Sequence, residues 1–198
     1  MDPRASLIVL DRDGVLNRTV ANPAEPRPDS PLRVGEVALF PWVPASLRRL
    51  TDAGFGLAIA SNQPAAAKGK ASREALEQVH ARVLAEAQRD GGVIASSHIC
   101  FHRAEDGCGC RKPRTGLLRE AFLRNPSYVA AQSWMVGDRA VDVLAGWAYG
   151  LKTALLAGQD DKGEATSAER RALDTHSVQP SFHGRDLRDF AEFLLRKT

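Results

Sequence analysis

Leu7–Leu10 (LIVL) is an unbroken apolar run that ends abruptly at two carboxylates, Asp11 and Asp13. A strand with one wet face alternates apolar and polar side chains, whereas four apolar residues in a row suit a strand covered on both faces. Such strands occur in parallel sheets sandwiched by helices. The rest of the chain repeats the pattern, with strands expected within Phe55–Ala60, Val93–Phe101, Trp134–Val136 and Thr153–Leu156. Between them apolar residues recur near the 3.6 period of a helix. Leu76, Val79, Val83, Leu84 and Ala87 follow a Ser72 cap, and Leu117, Leu118, Ala121 and Phe122 follow Thr115. Val141, Leu144, Ala145 and Ala148 run up to Gly150, and Leu187, Phe190, Ala191 and Leu194 share one side of a closing helix. A further helix is expected from Val43, ending at Gly54. Strands alternating with amphipathic helices predict an α/β fold, a three-layer Rossmann-like parallel sheet with helices on both faces.

Two stretches depart from this rhythm. Residues 14–44 carry six of the eleven prolines (Pro23, Pro26, Pro28, Pro31, Pro41 and Pro44). Proline removes a backbone donor and fixes φ, so this segment is expected to be an irregular flap. Residues 158–176 are polar and are expected to form a surface excursion.

The 198 residues suit one domain, 1–198, with 43% apolar and 26% charged residues excluding wholesale disorder. A charge of +3, from 27 basic against 24 acidic residues, is too small an excess to argue for nucleic acid. Three tryptophans and two tyrosines give no stacking platform. No apolar stretch reaches the ~20 residues of a membrane helix, and none has the form of a signal peptide. A cytosolic monomer is expected, with no membrane and no nucleic-acid partner.

Ligands of open α/β sheets bind beyond the carboxyl ends of the strands. Asp11 and Asp13, Ser61-Asn62, and Asp138 each follow an expected strand. Residues two apart on extended chain point the same way, so Asp11 and Asp13 would face one pocket and repel unless a cation joined them. Carboxylate oxygens with water suit Mg²⁺, a hard cation that also accepts substrate phosphate. Arg111 and Lys112 add positive charge, and Ser61 and Asn62 a hydroxyl and an amide. This assembly suits phosphoryl transfer, one carboxylate attacking phosphorus and the other acting as acid and base. Asp142, in the first turn of its helix, reads as a complement to the helix dipole.

Cys100, His102, Cys108 and Cys110 lie within eleven positions. Three thiolates and an imidazole saturate a tetrahedral Zn²⁺, so a structural zinc is expected to stiffen loop 100–110, with redox sensing by Cys108 and Cys110 as the alternative.

LIVLDRDGVLN (7–17), IASNQ (59–63), CRKP (110–113) and MVGDRAVD (135–142) resemble the four ordered motifs of the haloacid dehalogenase superfamily of phosphatases. The resemblance implies that Asp11 is the nucleophile and Asp13 the general acid/base. It implies that Ser61 and Lys112 hold the transferring phosphoryl group. Asp138 would complete the Mg²⁺ site with Asp11 and the backbone carbonyl of Asp13. The cysteine loop narrows the resemblance to the branch of heptose-bisphosphate and histidinol-phosphate phosphatases. By that pattern Asn62, Gln63, Arg111 and Arg139 would contact a small phosphorylated metabolite. Lys68 stands where the heptose enzymes usually have arginine. A polynucleotide 3′-phosphatase is the more distant alternative.

Forty-seven residues separate Asp13 from Ser61, and fifty separate Ser61 from Lys112. Neither interval holds a further domain beside its flap, helices, strands and loop. The phosphatase is therefore expected to be capless, with the flap, the Gln63–Lys70 loop and the zinc loop as specificity walls.

Overall fold

The computed structural model describes residues 2–21, 28–157 and 167–197. Six parallel strands form one sheet: β1 (Leu7–Leu10), β2 (Gly56–Asn62), β3 (Ser96–Cys100), β4 (Trp134–Gly137), β5 (Lys152–Leu156) and β6 (Phe182–Gly184). Their order across the sheet is β3-β2-β1-β4-β5-β6. The chain thus reverses direction of travel between β1 and β4, which opens a crevice at their carboxyl ends.

The connecting helices are α1 (Val43–Asp52), α2 (Arg73–Ala87), α3 (Gly116–Arg124), α4 (Ala140–Tyr149), α5 (Ser167–Thr175) and α6 (Leu187–Leu195). The run at β1 is explained by what covers it. Ile8 and Leu10 face a cluster containing Leu47 and Leu50 of α1 and Phe190 and Leu194 of α6. Leu7 and Val9 face Leu117, Leu118 and Ala121 of α3, with Ala145 of α4. All four strand residues are wholly buried, and each such side chain contributes about 1.5–3 kcal/mol on burial.

Helix boundaries follow local chemistry. Ser72 Oγ accepts the Ala75 N–H at 3.1 Å and opens α2. Gly150, at φ +86°, closes α4 in a left-handed turn that residues with a Cβ resist. Thr115 sits at the start of α3 but its hydroxyl caps nothing. The Gly116 N–H instead donates to the Gly109 carbonyl at 3.1 Å, pinning the helix against the cysteine loop.

Two features differ from the sequence reading. Within the polar stretch 158–176, residues 167–175 are the helix α5, anchored by a buried Leu173 against Val143 and Leu155; residues 158–166 lie outside those described. β6 was not expected, because its three residues carry one apolar side chain. Phe182 packs edge-on against Phe190 and at a tilt against Phe193, at centroid distances of 5.6 and 4.6 Å. The described flap residues are irregular apart from a 3₁₀ turn at Val34–Glu36, bridges joining Val20 to Asp29 and Asn17 to Leu39, and the first residues of α1 at Val43 and Pro44. Its residues 22–27, with Pro23 and Pro26, lie outside those described.

α4 approaches the sheet closely because residue 146 lacks a side chain. A Cβ there would stand 2.6 Å from Met135 Cβ and 2.7 Å from Thr153 Cγ2. Gly146→Val is therefore expected to destabilise the protein by about 1–3 kcal/mol through overpacking. Urea unfolding, compared with wild type, checks this.

Candidate active site

The register of the sheet assembles the site. Leu10 pairs with Ile59 on one side and Val136 on the other, so Asp11 emerges between the ends of β2 and β4. Its N–H donates to the Val136 carbonyl at 2.8 Å, keeping the chain extended for one more residue. Gly14 then turns at φ +83°, and a Cβ on it would overlap the Asp138 carboxylate. The glycine of D-x-D-G is thus required twice, by backbone angle and by space.

Asp11, Asp138 and Asp142 each place a carboxylate oxygen within 4.8 Å of the others. The Lys112 ammonium lies 3.0 Å from Asp11 Oδ1 and 2.5 Å from Asp142 Oδ1, and donates to the Ala60 carbonyl at 2.7 Å. Burial alone would lower Lys112, but Asp11 and Asp142 hold it above its ordinary value, so it stays charged. Burial, with the charges of Asp11 and Asp142, pushes Asp138 well above the carboxylate range. Burial pushes Asp142 up to about 6, against the opposing pull of Lys112, with Asp11 adding to the rise. Asp138 Oδ1 is buried without a hydrogen-bond partner. Clustered, under-satisfied carboxylate oxygens are what a hard divalent cation requires. Asp142 was missed as a site residue in the sequence. Its first-turn position mimics an ordinary dipole partner, and the Arg139 N–H that it accepts at 3.1 Å is such a role. The lysine fifty residues past the end of β2 gave no hint of its other contact.

Asp13 is placed differently from its neighbour. Its carboxylate accepts from Arg12 Nη2 at 3.0–3.1 Å, Asn17 Nδ2 at 2.8 Å, Gln63 Nε2 at 2.5 Å and Ser30 Oγ at 3.0 Å. Burial acts to raise its pKa, yet the Arg12 charge and these donors hold it below the usual value. The Asp13 carboxylate is not among the three whose oxygens cluster within 4.8 Å of one another.

The remaining expected residues fall into two sets. Ser61 is buried, its Oγ accepting from Gln63 Nε2 at 2.9 Å. Asn62 pairs with the Lys112 backbone in both directions, each bond 3.1 Å long. Gln63 is 1% exposed, and its bonds go to Asp13 and Ser61. In this arrangement Asn62 and the Gln63 amide nitrogen hold other site residues in place. Arg111 and Arg139 lie at the rim. Arg111 donates to the His102 carbonyl at 3.1 Å, and Arg139 stands 4.0 Å from Glu169 of α5. Glu169 also accepts the Ala140 N–H at 2.8 Å at the start of α4.

The cysteine loop abuts this region through Arg111 and Lys112. Cys110 Sγ lies 3.3 Å from Cys100 Sγ, 3.4 Å from Cys108 Sγ and 3.3 Å from His102 Nδ1, and Cys100 Sγ is 3.7 Å from Cys108 Sγ. A tetrahedron with Zn–S bonds of ~2.3 Å has edges of about 3.8 Å. All three cysteines are free thiols, and burial pushes Cys100 up to about 12.

A HAD-hydrolase-like family model matches residues 109–189. A D-glycero-β-D-manno-heptose-1,7-bisphosphate 7-phosphatase of Pseudomonas putida is 34% identical over 165 residues, covering 81% of this chain and 86% of that protein. The bifunctional histidine-biosynthesis protein HisB of Legionella pneumophila is 33% identical over 136 residues, covering 69% of this chain but 37% of its own length. The crystal structure of D,D-heptose 1,7-bisphosphate phosphatase from B. bronchiseptica, complexed with magnesium and phosphate, superposes with a TM-score of 0.80 at 28% identity, covering 98% and 99% of the two chains. No helix among the described residues is long and apolar enough to cross a membrane. The four ordered motifs, the sheet order and these similarities agree: the chain belongs to the family of HAD-like phosphatases that includes the heptose-1,7-bisphosphate 7-phosphatases.

Proposed function

We propose that the protein removes the 7-phosphate of D-glycero-β-D-manno-heptose 1,7-bisphosphate, working as a capless single domain. The observation that carries the reading is the cluster of Asp11, Asp138 and Asp142 around the Lys112 ammonium at the strand ends. Similarity to heptose enzymes along nearly the whole chain favours this substrate over histidinol phosphate. The HisB match spans little more than a third of that protein.

Asp11 is the nucleophile. Its carboxylate attacks phosphorus, the bond to the sugar oxygen breaks, and an aspartyl phosphate forms that water then hydrolyses. Lys112 neutralises charge on the transferring group, and Ser61 donates to it. Asp13 protonates the leaving alcohol and later takes a proton from the attacking water. The donors around it favour its anionic form, the form that takes the proton from water in the second step. Asp11, Asp138 and Asp142, with the Asp13 carbonyl, would hold Mg²⁺. When bound, that ion offsets carboxylate repulsion and shields the phosphate from it. Arg111 and Arg139, on the rim, would meet the second phosphate. Cys100, His102, Cys108 and Cys110 would hold a closed structural Zn²⁺, which fixes the direction of Arg111 and Lys112.

Turnover of heptose 1,7-bisphosphate is expected to exceed that of histidinol phosphate by at least about 100-fold in kcat/KM, roughly 2.7 kcal/mol of discrimination. A phosphate-release assay on both substrates checks this, and parity or the reverse order removes the heptose assignment. Asp11→Asn is expected to lower kcat by about a thousand-fold or more, read in the same assay with folding confirmed by circular dichroism. Elemental analysis is expected to find one zinc per chain, and Cys110→Ser to lose it together with several degrees of Tm. A metal-free cysteine loop of unchanged stability would leave the redox reading.

A further inference from the structure

Behind Asp13, on the α2 side of the sheet, lies a cavity of about 260 Å³. Its walls include Arg12, Gln63, Arg73, His80, Ser97 and Phe101. None of Asp11, Asp138, Asp142 or Lys112 lines it. At ~30 Å³ per molecule it has room for some eight or nine waters, or for one small metabolite.

Its polar lining is unusually short of partners. Arg12 is 1% exposed, and its Nε and Nη2 donate to Asp13. Its Nη1 makes no hydrogen bond among the described residues, which leaves two N–H donors for the cavity. Gln63 Oε1 and His80 Nδ1 are buried without hydrogen-bond partners. Burial and the Arg12 charge push His80 down to about 4, so it is a neutral imidazole near pH 7, sharing a 2.6 Å hydrogen bond with Ser97 Oγ. A buried polar atom left unpaired costs about 1–3 kcal/mol. Two such atoms on one cavity, beside the remaining N–H groups of Arg12, point to an occupant that pairs them.

The lining also specifies the occupant's chemistry. Arg12 Nη1 asks for an acceptor, best an anionic one. Gln63 Oε1 asks for a donor such as a hydroxyl, and His80 Nδ1 pairs with a donor or an acceptor according to the ring's tautomer. At one side Arg73 lies over the Phe101 ring, 4.6 Å from its centroid, with its Nε 2.9 Å from Glu77. That guanidinium is accessible to a second anionic oxygen, and Glu77 to a further hydroxyl. Leu76 and Ile99 complete an apolar wall.

We propose that this cavity is a second ligand site, for a sugar or polyol bearing one negative charge, and that its occupancy acts on turnover through Arg12. The guanidinium has Asp13 on one side and the ligand on the other, so an anion drawn to Nη1 competes with Asp13 for the same cation. Binding itself is independent of the reaction proposed above; the effect on turnover rests on the role given there to Asp13.

D-Glucuronate is a suitable probe, since it carries the charge and the hydroxyls but no phosphate ester to be hydrolysed. In crystals of the wild-type protein its carboxylate is expected on Arg12 Nη1 and Arg73. With p-nitrophenyl phosphate and saturating magnesium, it is expected to inhibit without competing with the ester. Arg73→Ala, at an exposed residue, is expected to weaken inhibition about ten-fold, the equivalent of one charge-assisted hydrogen bond. Ser97→Leu, which fills the cavity, is expected to abolish inhibition while basal turnover persists. Competition with the ester, glucuronate density at Asp11 and Asp138, or a cavity holding water alone at inhibitory concentrations overturns the proposal. A failure of heptose bisphosphate as substrate leaves the crystallographic readout intact, so the two failures are distinguishable.

Discussion

One buried ammonium holds the site together. Lys112 reaches from its loop to touch Asp11 after β1, Asp142 in α4 and the Ala60 carbonyl in β2. Three separate elements are thereby tied at the crevice between β1 and β4. Breaking a buried pair of this kind costs about 3–5 kcal/mol, because the remaining charge has no compensation. Yet one ammonium cannot balance Asp11, Asp138 and Asp142 together, and the excess negative charge shows in the raised Asp138 and Asp142. The fold is built with an electrostatic deficit at its functional point, and a divalent cation is the simplest species that removes it.

Around that deficit the carboxylates divide in character. Asp13 lies two residues from Asp11 but is surrounded by donors, so it is held anionic where Asp138 and Asp142 are pushed toward neutrality. The difference comes from Arg12, a wholly buried cation whose backbone sits between the two motif aspartates. The flap contributes as well, through Asn17 at its base and Ser30 farther along. Chemistry and the irregular segment beside it are joined at one carboxylate.

The sheet was legible because burial on both faces leaves no room for polar residues at Leu7–Leu10 or at residues 57–60 of β2, and the carboxyl ends were legible because polarity returns there at once. Two classes of feature were not. α5 and β6 owe their existence to single anchors, Leu173 and Phe182, which no periodicity announces. Asp142, Arg12 and Gln63 look like ordinary surface polar residues until tertiary contacts bury them. Gln63 in particular spends its amide nitrogen on Asp13 and Ser61, contacts that its place in the sequence does not announce. Sequence reveals where a pocket's walls must lie more readily than which wall residues turn inward.

The paired amide bonds between Asn62 and the backbone of Lys112 fasten the end of β2 to the loop that carries the cysteines. They are made to main-chain atoms, so they are indifferent to the side chains on either side. Residues 103–107 can therefore drift, lengthen or exchange charge over evolutionary time without dislodging the ammonium. A lineage could retune what it accepts while its reactive chemistry stays clamped in register.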